Sequence, residues 1–208
     1  MVVVMQEGAQ EERAGGQTSI ENETVIFFLL AAILSIAAGV GSIVVVHLLI
    51  FLQAKGLDFA AAVGLGALFG PSQVGARVVE RLFGSRYHPI WTIIGSCSLM
   101  AIGLLTLYGA TAALFVVILV YGAGYGISWI GRGTLPLALF GPARFPRLMG
   151  KLAFPSLIVQ AAAPSLGALL IESRGPDATI AILAAFALTN VLLIGMVWWL
   201  CRKPSNVG

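Results

Sequence analysis

Long apolar runs are the feature that most constrains how this chain can fold. Six runs, each dominated by apolar residues, are separated by short polar connections. A helix of about 20 apolar residues crosses the hydrocarbon core of a bilayer, and a helix satisfies its own backbone polar groups there. The pattern predicts six transmembrane helices, over about 25–52, 58–79, 89–108, 111–131, 150–171 and 177–200.

Composition agrees with lipid as the main solvent. Hydrophobic residues make up 59% of the chain and charged residues only 10%, whereas a soluble domain carries roughly 25% charged residues. The predicted fold class is therefore all-α, a polytopic membrane protein with a bundle of six transmembrane helices. The net charge is +3, and the charged residues lie between the apolar runs. Charges in these positions indicate how the helices are oriented in a membrane, so nucleic acid is not the expected partner.

The chain divides into three predicted regions. Residues 1–24 are acidic and rich in small polar residues, which is typical of a disordered cytoplasmic tail or linker. Residues 25–203 form the predicted six-helix transmembrane domain, and residues 204–208 a short cytoplasmic tail.

The basic residues predict the orientation of the bundle. With six spans both termini lie on one side, and that side holds ten of the twelve basic residues: Arg13, Arg77, Arg81, Arg86, Arg132, Arg144, Arg147, Lys151, Arg202 and Lys203. Only Lys55 and Arg174 fall on the other side. Cytoplasmic loops are enriched in Lys and Arg, so we expect an integral protein of the cell (inner) membrane with both termini in the cytoplasm. The connection 132–151 is expected to lie along the inner interface as an amphipathic segment.

The second predicted helix carries a polar stripe. Gly66, Gly70, Gln73, Arg77 and Glu80 are spaced by 4, 3, 4 and 3 residues, which places them on one helical face. The glycines favour close approach of another helix, and Arg77 and Glu80 are placed to pair. Two interpretations are open: an interfacial arginine that reaches the lipid headgroups, or a set that forms a gate or lines a cavity.

The fourth predicted helix has a comparable stripe. Tyr121, Tyr125, Ser128 and Arg132 are spaced by 4, 3 and 4 residues. This face either lines an aqueous path with a cation at its inner end, or packs against a neighbouring helix through its small residues.

Two further polar residues lie within apolar runs. A histidine side chain can carry protons, and this is one interpretation of His47. The alternative is a histidine near the interface, bonded to a neighbouring helix or to water. Gln160, between Pro155 and Pro164, is either a cavity residue or a hydrogen-bonding contact between helices.

The motifs of common enzyme classes are missing. The segment "GISW" at 126–129 lacks the second glycine of the serine motif found in six-helix intramembrane proteases. The sequence has two histidines and shows neither a spacing of metal ligands nor a phosphate-binding loop. We therefore expect no enzymatic activity, no metal and no cofactor.

Two segments carry a resemblance to a known family. They are "VHLLIFLQAKGLDFAAAVGLGALFGPSQVGARVVERLFGSR" at 46–86 and "RGTLPLALFGPARFPRLMGKLAFPSLIVQAAAPSLGALL" at 132–170. Over about 25–203 the chain resembles the C-terminal six-helix half of a major facilitator superfamily transporter. The family's inner-loop motif runs Gly, three residues, Asp, Arg, one residue, Gly and two basic residues. "ERLFGSR" supplies Glu80, Arg81, Gly84 and Arg86, with one extra residue before Gly84 and Ser85 in place of a basic residue.

The resemblance implies roles for individual residues. The resemblance implies that Arg77, Glu80, Arg81 and Arg86 belong to a gate. Arg132, the cation that ends the second stripe, is expected to belong to the gate as well. Residues implied by position on the family's cavity-lining helices are His47, Gln73, Tyr121, Tyr125 and Gln160.

The expected function is that of a secondary active transporter unit, a permease or efflux unit that moves a small solute by alternating access. Expected partners are the lipid bilayer, a small-molecule solute, and a second six-helix half or a homodimer, because a full transporter has two halves around one midplane site. The chain is interpreted as a fragment, the product of a late start codon, or a half-transporter that dimerises. The alternative is a truncated or non-transporting membrane protein that acts as an interaction or structural subunit.

Overall fold

The computed structural model describes residues 23–109 and 114–202, apart from the side chain of Ser85. The elements are α1 (Glu23–Ala54), α2 (Phe59–Gly66), α3 (Phe69–Phe83), a 3₁₀ turn (Gly84–Arg86), α4 (Pro89–Gly109) and α5 (Leu114–Arg202). The prediction of an all-α fold is confirmed, since no strand occurs in the described ranges. The predicted tails fall outside those ranges, except for the last two residues of the first.

The predicted count of six separate helices is wrong. Four helical stretches are long and apolar enough to cross a membrane by length and composition: α1, α2 together with α3, α4, and α5. The difference arises after residue 114, because the last three predicted spans are joined in α5, which is 89 residues long.

Two Gly-Pro pairs interrupt the helical geometry inside α5. Gly141 and Gly175 have φ values of 73° and 83°, which glycine adopts without the steric cost of a Cβ atom. Pro142 and Pro176 follow directly, and proline suits the first position of a new helix because it has no N–H to satisfy. The breaks divide α5 into α5a (114–140), α5b (142–174) and α5c (176–202). The segment 132–151, which is expected to lie along the inner interface, is helical on both sides of the break at Gly141.

The three lengths of α5 fold back beside α1. A straight helix of 89 residues would extend about 130 Å. Instead, Tyr125 of α5a packs against Gly41 of α1, and the neighbouring Ser42 Oγ donates to the Gln160 carbonyl oxygen of α5b at 3.0 Å. Asn190 of α5c donates through Nδ2 to an α1 carbonyl oxygen at 3.2 Å. One central region of α1 therefore contacts all three lengths.

Two ion pairs mark the two ends of the bundle. At one end Lys55 Nζ lies 2.7 Å from Asp177 Oδ1 and donates to the Tyr108 carbonyl oxygen at 3.1 Å. At the other, Arg144 Nη2 lies 2.5 Å from Glu23 Oε1. We call these the Lys55 end and the Glu23 end. Lys55 follows the end of α1, Tyr108 lies near the end of α4 and Asp177 lies at the start of α5c, so these three helix ends lie together.

Burial differs strongly among the helices. In the most apolar window of α1, 50% of the residues are buried, whereas in the α2–α3 stretch only 11% are. The α2–α3 stretch therefore lies at the periphery of the bundle. Its N-terminus is capped by Asp58, whose Oδ1 accepts from the Ala61 N–H at 2.7 Å. Pro71 lies in the first turn of α3, where a missing N–H costs no helical hydrogen bond.

Candidate functional site

The contact between α3 and α5a is built on glycines of α5a. A Cβ atom placed on Gly126 would lie 2.6 Å from the Gln73 carbonyl oxygen, and one on Gly122 would lie 2.9 Å from Ser72 Oγ. Ser72 Oγ donates to the Leu119 carbonyl oxygen at 2.7 Å. The two backbones therefore approach so closely that only glycine fits at position 126.

The predicted glycine face of the second span does not form this contact. A Cβ atom on Gly70 would meet nothing within 4 Å, and one on Gly66 would meet the Leu49 side chain at 3.4 Å. The predicted stripe is divided between two helices, because Gly66 ends α2 whereas Gly70, Gln73, Arg77 and Glu80 belong to α3. Spacing alone does not show which helix supplies the glycines of a contact.

Arg77 is a second polar link between α3 and α5a, besides Ser72. Its Nε donates to the Gly126 carbonyl oxygen at 3.1 Å and its Nη2 donates to Gln73 Oε1 at 3.2 Å. The expected pair with Glu80 is not formed, because Glu80 is engaged elsewhere. Gln73 was predicted as a cavity residue; its backbone packs on Gly126 and its side chain holds Arg77.

Glu80 joins α3 to the start of α4. It accepts from Thr92 Oγ1 at 2.6 Å and from the Tyr87 hydroxyl at 2.8 Å. The hydrogen bond to Glu80, with smaller contributions from burial and from the Glu80 charge, raises the pKa of Tyr87 above its usual range. A Cβ atom on Gly84 would lie 2.7 Å from Glu80 Oε1, so the glycine of the loop motif leaves room for this carboxylate.

The other predicted gate residues are arranged differently. Arg81 is exposed at the end of α3. The Arg86 guanidinium lies 5.6 Å from the Phe83 ring centroid, and the Arg132 guanidinium lies 4.8 Å from that of Trp129. Of these three arginines, only Arg132 belongs to the cavity described next.

A small polar cavity lies where α1, α4, α5a and α5b meet. Its volume is about 20 Å³, which is room for about one water molecule. Its polar lining comes from Tyr125, Ser128 and Arg132 of α5a, Ser96 of α4 and Gln160 of α5b. Apolar residues of α1 between 33 and 38 form much of the remaining wall. The structure thus brings together two predicted cavity residues, Tyr125 and Gln160, and one predicted gate residue, Arg132.

The hydrogen bonds around this cavity are unevenly satisfied. Ser96 Oγ donates to the Gly124 carbonyl oxygen at 2.9 Å, and Ser128 Oγ donates to that of Tyr125 at 2.7 Å. Within the described residues, the Tyr125 hydroxyl, the Arg132 guanidinium and the Gln160 carboxamide have no hydrogen-bond or ion-pair partner. Three donor groups are therefore available to whatever enters the cavity.

The remaining predicted cavity residues lie elsewhere. His47 is buried, with Nδ1 3.0 Å from the Ile43 carbonyl oxygen, and it packs against Gly167 of α5b. Tyr121 stacks on Phe69 and on Tyr125, with centroid distances of 6.1 and 6.5 Å, and the rings of Phe69 and Tyr125 also stack on each other at 5.8 Å. Its buried hydroxyl has no partner in the described structure. Both residues pack between helices and do not line the polar cavity.

Sequence reasoning assigned no cavity role to the residues of α4 or α5c. Cys97 lines the polar cavity and also a second cavity of about 10 Å³, which Asn190 of α5c lines too. Asn190 Oδ1 is buried and lacks a hydrogen-bond partner within the described residues. The available signal was the small-residue segment "GSCS" at 95–98, since small residues in an apolar helix mark close contacts.

Comparison of the chain with models of known protein families and with curated protein sequences gives no match. Among the described residues, no group of three or more His, Cys, Asp or Glu side chains is placed to hold a metal ion.

Proposed function

We propose that the chain is an integral protein of the cell (inner) membrane and forms one six-helix unit of a secondary transporter. The unit moves a small solute by alternating access, together with a second six-helix half. The observation that carries the proposal is the polar cavity, with its unpartnered Tyr125, Arg132 and Gln160 groups, inside an otherwise apolar bundle.

The backbone supports this architecture. The breaks at Gly141 and Gly175 yield six apolar lengths when α2 and α3 are counted as one: α1, α2–α3, α4, α5a, α5b and α5c. Each has at least 21 residues, enough to cross the hydrocarbon core. The ten basic residues that the sequence assigns to the side of the Glu23 end favour a cytoplasmic location for that end.

The polar contacts of α3 support a gating role. α3 is poorly buried, yet Arg77 ties it to α5a and Glu80 ties it to α4. A peripheral helix held by a few polar contacts changes position at lower cost than one held by a large buried surface. We propose that these two contacts stabilise one conformational state of the transporter, as the resemblance to the major facilitator superfamily implies.

Reconstitution tests the transporter proposal. The pure chain is placed in sealed liposomes, and uptake is measured for a panel of labelled anionic, neutral and cationic solutes. We expect saturable uptake of at least one solute and a changed rate for Arg77→Ala. Two results together would contradict the proposal. They are no flux for any anionic, neutral or cationic solute, and no dimer or second six-helix chain trapped by cross-linking in native membranes.

The second candidate is a non-transporting membrane protein that acts as an interaction or structural subunit. The small volume of the polar cavity, about 20 Å³, favours it, because a solute larger than water does not fit in this state. This candidate predicts cross-linking to a partner without any solute flux and without an effect of Tyr125→Phe or Gln160→Leu on the partner complex.

A further inference from the structure

We infer that a groove between α3, α4 and α5a binds a small amphiphile with a quaternary ammonium group and an apolar tail. We call it the α3–α4 groove; its lining includes Glu80, Trp91, Gly95, Leu99 and Ile127. Its volume is about 440 Å³, which is within the range of small-molecule sites. The inference goes beyond the proposed function, because binding in this groove does not require transport.

Glu80 gives one end of the groove a negative charge. Its Oε1 accepts from Thr92 Oγ1 at 2.6 Å, and its Oε2 accepts from the Tyr87 hydroxyl at 2.8 Å. Both donors are neutral, and within the described residues no basic side chain forms an ion pair with this carboxylate. Since each oxygen already accepts a hydrogen bond, the carboxylate lacks a positive charge and not a donor.

The arginines near Glu80 are engaged elsewhere or exposed. Arg77 donates to α5a, the Arg86 guanidinium lies over the Phe83 ring, and Arg81 is exposed. None of these three arginines lines the groove, and Glu80 is the one charged lining residue among those that the structure describes. A cation in the groove is therefore attracted by Glu80 without meeting a basic side chain in the lining.

Two aromatic side chains line the same end of the groove. Tyr87 donates to Glu80, so its ring adjoins the carboxylate, and Trp91 follows one turn further along the chain. The two residues are 41% and 48% exposed. Aromatic faces attract quaternary ammonium groups, which carry a positive charge without an N–H group. A carboxylate together with aromatic rings therefore favours a quaternary ammonium group over a neutral or anionic one.

The rest of the groove is mostly apolar and leaves room for a tail. Trp91, Gly95 and Leu99 are spaced by four residues, which places them on one face of α4. Leu99 lies about 12 Å beyond Trp91 along the helix, and Ile127 of α5a lines the same part of the groove. A Cβ atom on Gly95 would meet nothing within 4 Å, so an alkyl chain can lie against α4 at this position.

The experiment compares probes that share a tail and differ in charge. Thermal unfolding of the full chain in micelles of an uncharged detergent is followed while hexyltrimethylammonium or hexanol is titrated at constant ionic strength. We expect hexyltrimethylammonium to raise the unfolding midpoint saturably and hexanol not to raise it. Tetramethylammonium, which lacks the tail, should bind at least tenfold more weakly. No response to hexyltrimethylammonium, an equal response to hexanol, or equal affinity for tetramethylammonium would overturn the inference.

A further probe separates a small cation from a lipid headgroup. Hexylphosphocholine carries the same quaternary ammonium group and adds a phosphate. We expect it to bind more weakly than hexyltrimethylammonium, because its phosphate is repelled by Glu80 and finds no basic side chain among the described lining residues. Tighter binding of hexylphosphocholine would overturn the assignment to a small cation and indicate a lipid headgroup instead.

Variants locate the binding in the groove. Glu80→Gln removes the charge, and Gly95→Leu fills the space for the tail without contacting other residues at its Cβ atom. Each is expected to weaken hexyltrimethylammonium binding at least tenfold. The matched controls are Glu172→Gln, at an exposed position outside the groove, and Gly195→Leu, whose Cβ atom on α5c also meets nothing within 4 Å.

Both controls should bind hexyltrimethylammonium like the wild type. Wild-type affinity in Gly95→Leu, or a loss of affinity in Gly195→Leu as large as that in Gly95→Leu, would overturn the inference. Wild-type affinity in Glu80→Gln would overturn it as well. If Glu80→Gln fails to fold, the comparison of Gly95→Leu with Gly195→Leu decides alone.

Discussion

α3 and α4 both pack against α5a, but by different means. α4 contributes buried apolar side chains along its length, including Ile93, Met100 and Leu104, and it meets α5a at glycines. α3 has one buried residue, Phe69, and is held mainly by a glycine contact and by hydrogen bonds from Ser72 and Arg77. The comparison teaches that one neighbour of α5a is part of the core, while the other is attached at a few positions and is suited to move.

The largest expected effect comes from the core contact. In Gly124→Ala the new Cβ atom would lie 2.8 Å from the Met100 backbone nitrogen and 2.9 Å from the Ser96 carbonyl oxygen. Because backbone atoms cannot move aside cheaply, we expect the free energy of unfolding in detergent to fall by about 1–3 kcal/mol. Gly133→Ala, whose Cβ atom meets nothing within 4 Å on the same helix, is the control and should not lose stability. Equal stability of the two variants would mean that α4 is not held by this close approach.

A smaller and local effect is expected at the α3 contact. Gly126→Ala would push on the Gln73 backbone, so α3 should separate from α5a while α1 and α4 stay packed. Amide hydrogen exchange should speed up about tenfold or more in 69–83 and remain unchanged in 89–109, since exchange reports local opening. Gly75→Ala, in open space on α3, is the control. Equal acceleration in both segments would show that α3 and α4 belong to one cooperative unit.

Removing the arginine link should cost less. Arg77→Ala loses hydrogen bonds to the Gly126 carbonyl oxygen and to Gln73. Polar contacts between membrane helices contribute about 0.6 kcal/mol on average, so we expect a loss of about 1 kcal/mol. Arg81→Ala, at an exposed position of α3, should change stability by less than about 0.5 kcal/mol. If Arg81→Ala were the more damaging variant, Arg81 and not Arg77 would hold α3.

The smallest expected effect concerns the link from α3 to α4. The pKa of Tyr87 is raised, mainly because its hydroxyl donates to Glu80. A raised folded-state pKa means that this contribution to stability is full below the ordinary value of 10.0 and is lost as pH rises through the higher folded value. The phenolate absorbance difference between the wild type and Tyr87→Phe should therefore develop above pH 10.0. In the Glu80→Gln background the same difference should shift to lower pH; an unchanged titration would contradict the hydrogen bond.

Sequence periodicity predicted helices well and their partners poorly. The observed α1 and α4 differ from the predicted spans by at most two residues at either end. The break at Gly141 was not predicted, although Gly-Pro pairs at 141–142 and 175–176 mark both breaks. A run of apolar residues signals burial or lipid contact, but the left-handed backbone of a single glycine decides where a helix turns back.

The candidate site was predicted only in part, for a related reason. The 3–4 spacing placed Arg77 and Glu80 on one face, but Arg77 donates to the Gly126 carbonyl oxygen of α5a and Glu80 accepts from Thr92 of α4. The spacing of Tyr121 and Tyr125 was equally regular, yet only Tyr125 lines the polar cavity. Helical periodicity fixes the direction of a side chain, whereas the identity of its neighbour depends on how separate helices pack.

Chemical modification of position 160 tests the central claim, a water-accessible cavity lined by the Arg132 cation. In a background of Cys97→Ser and Cys201→Ser, Gln160→Cys and Leu169→Cys are treated with small thiol reagents of equal size and opposite charge. We predict that Gln160→Cys reacts, and that it reacts faster with the anionic reagent than with the cationic one. Arg132→Gln should remove this preference. Leu169→Cys, at an exposed apolar position, should react slowly with both reagents. The account would be contradicted if Gln160→Cys were no more reactive than Leu169→Cys, or if Gln160→Cys reacted faster with the cationic reagent.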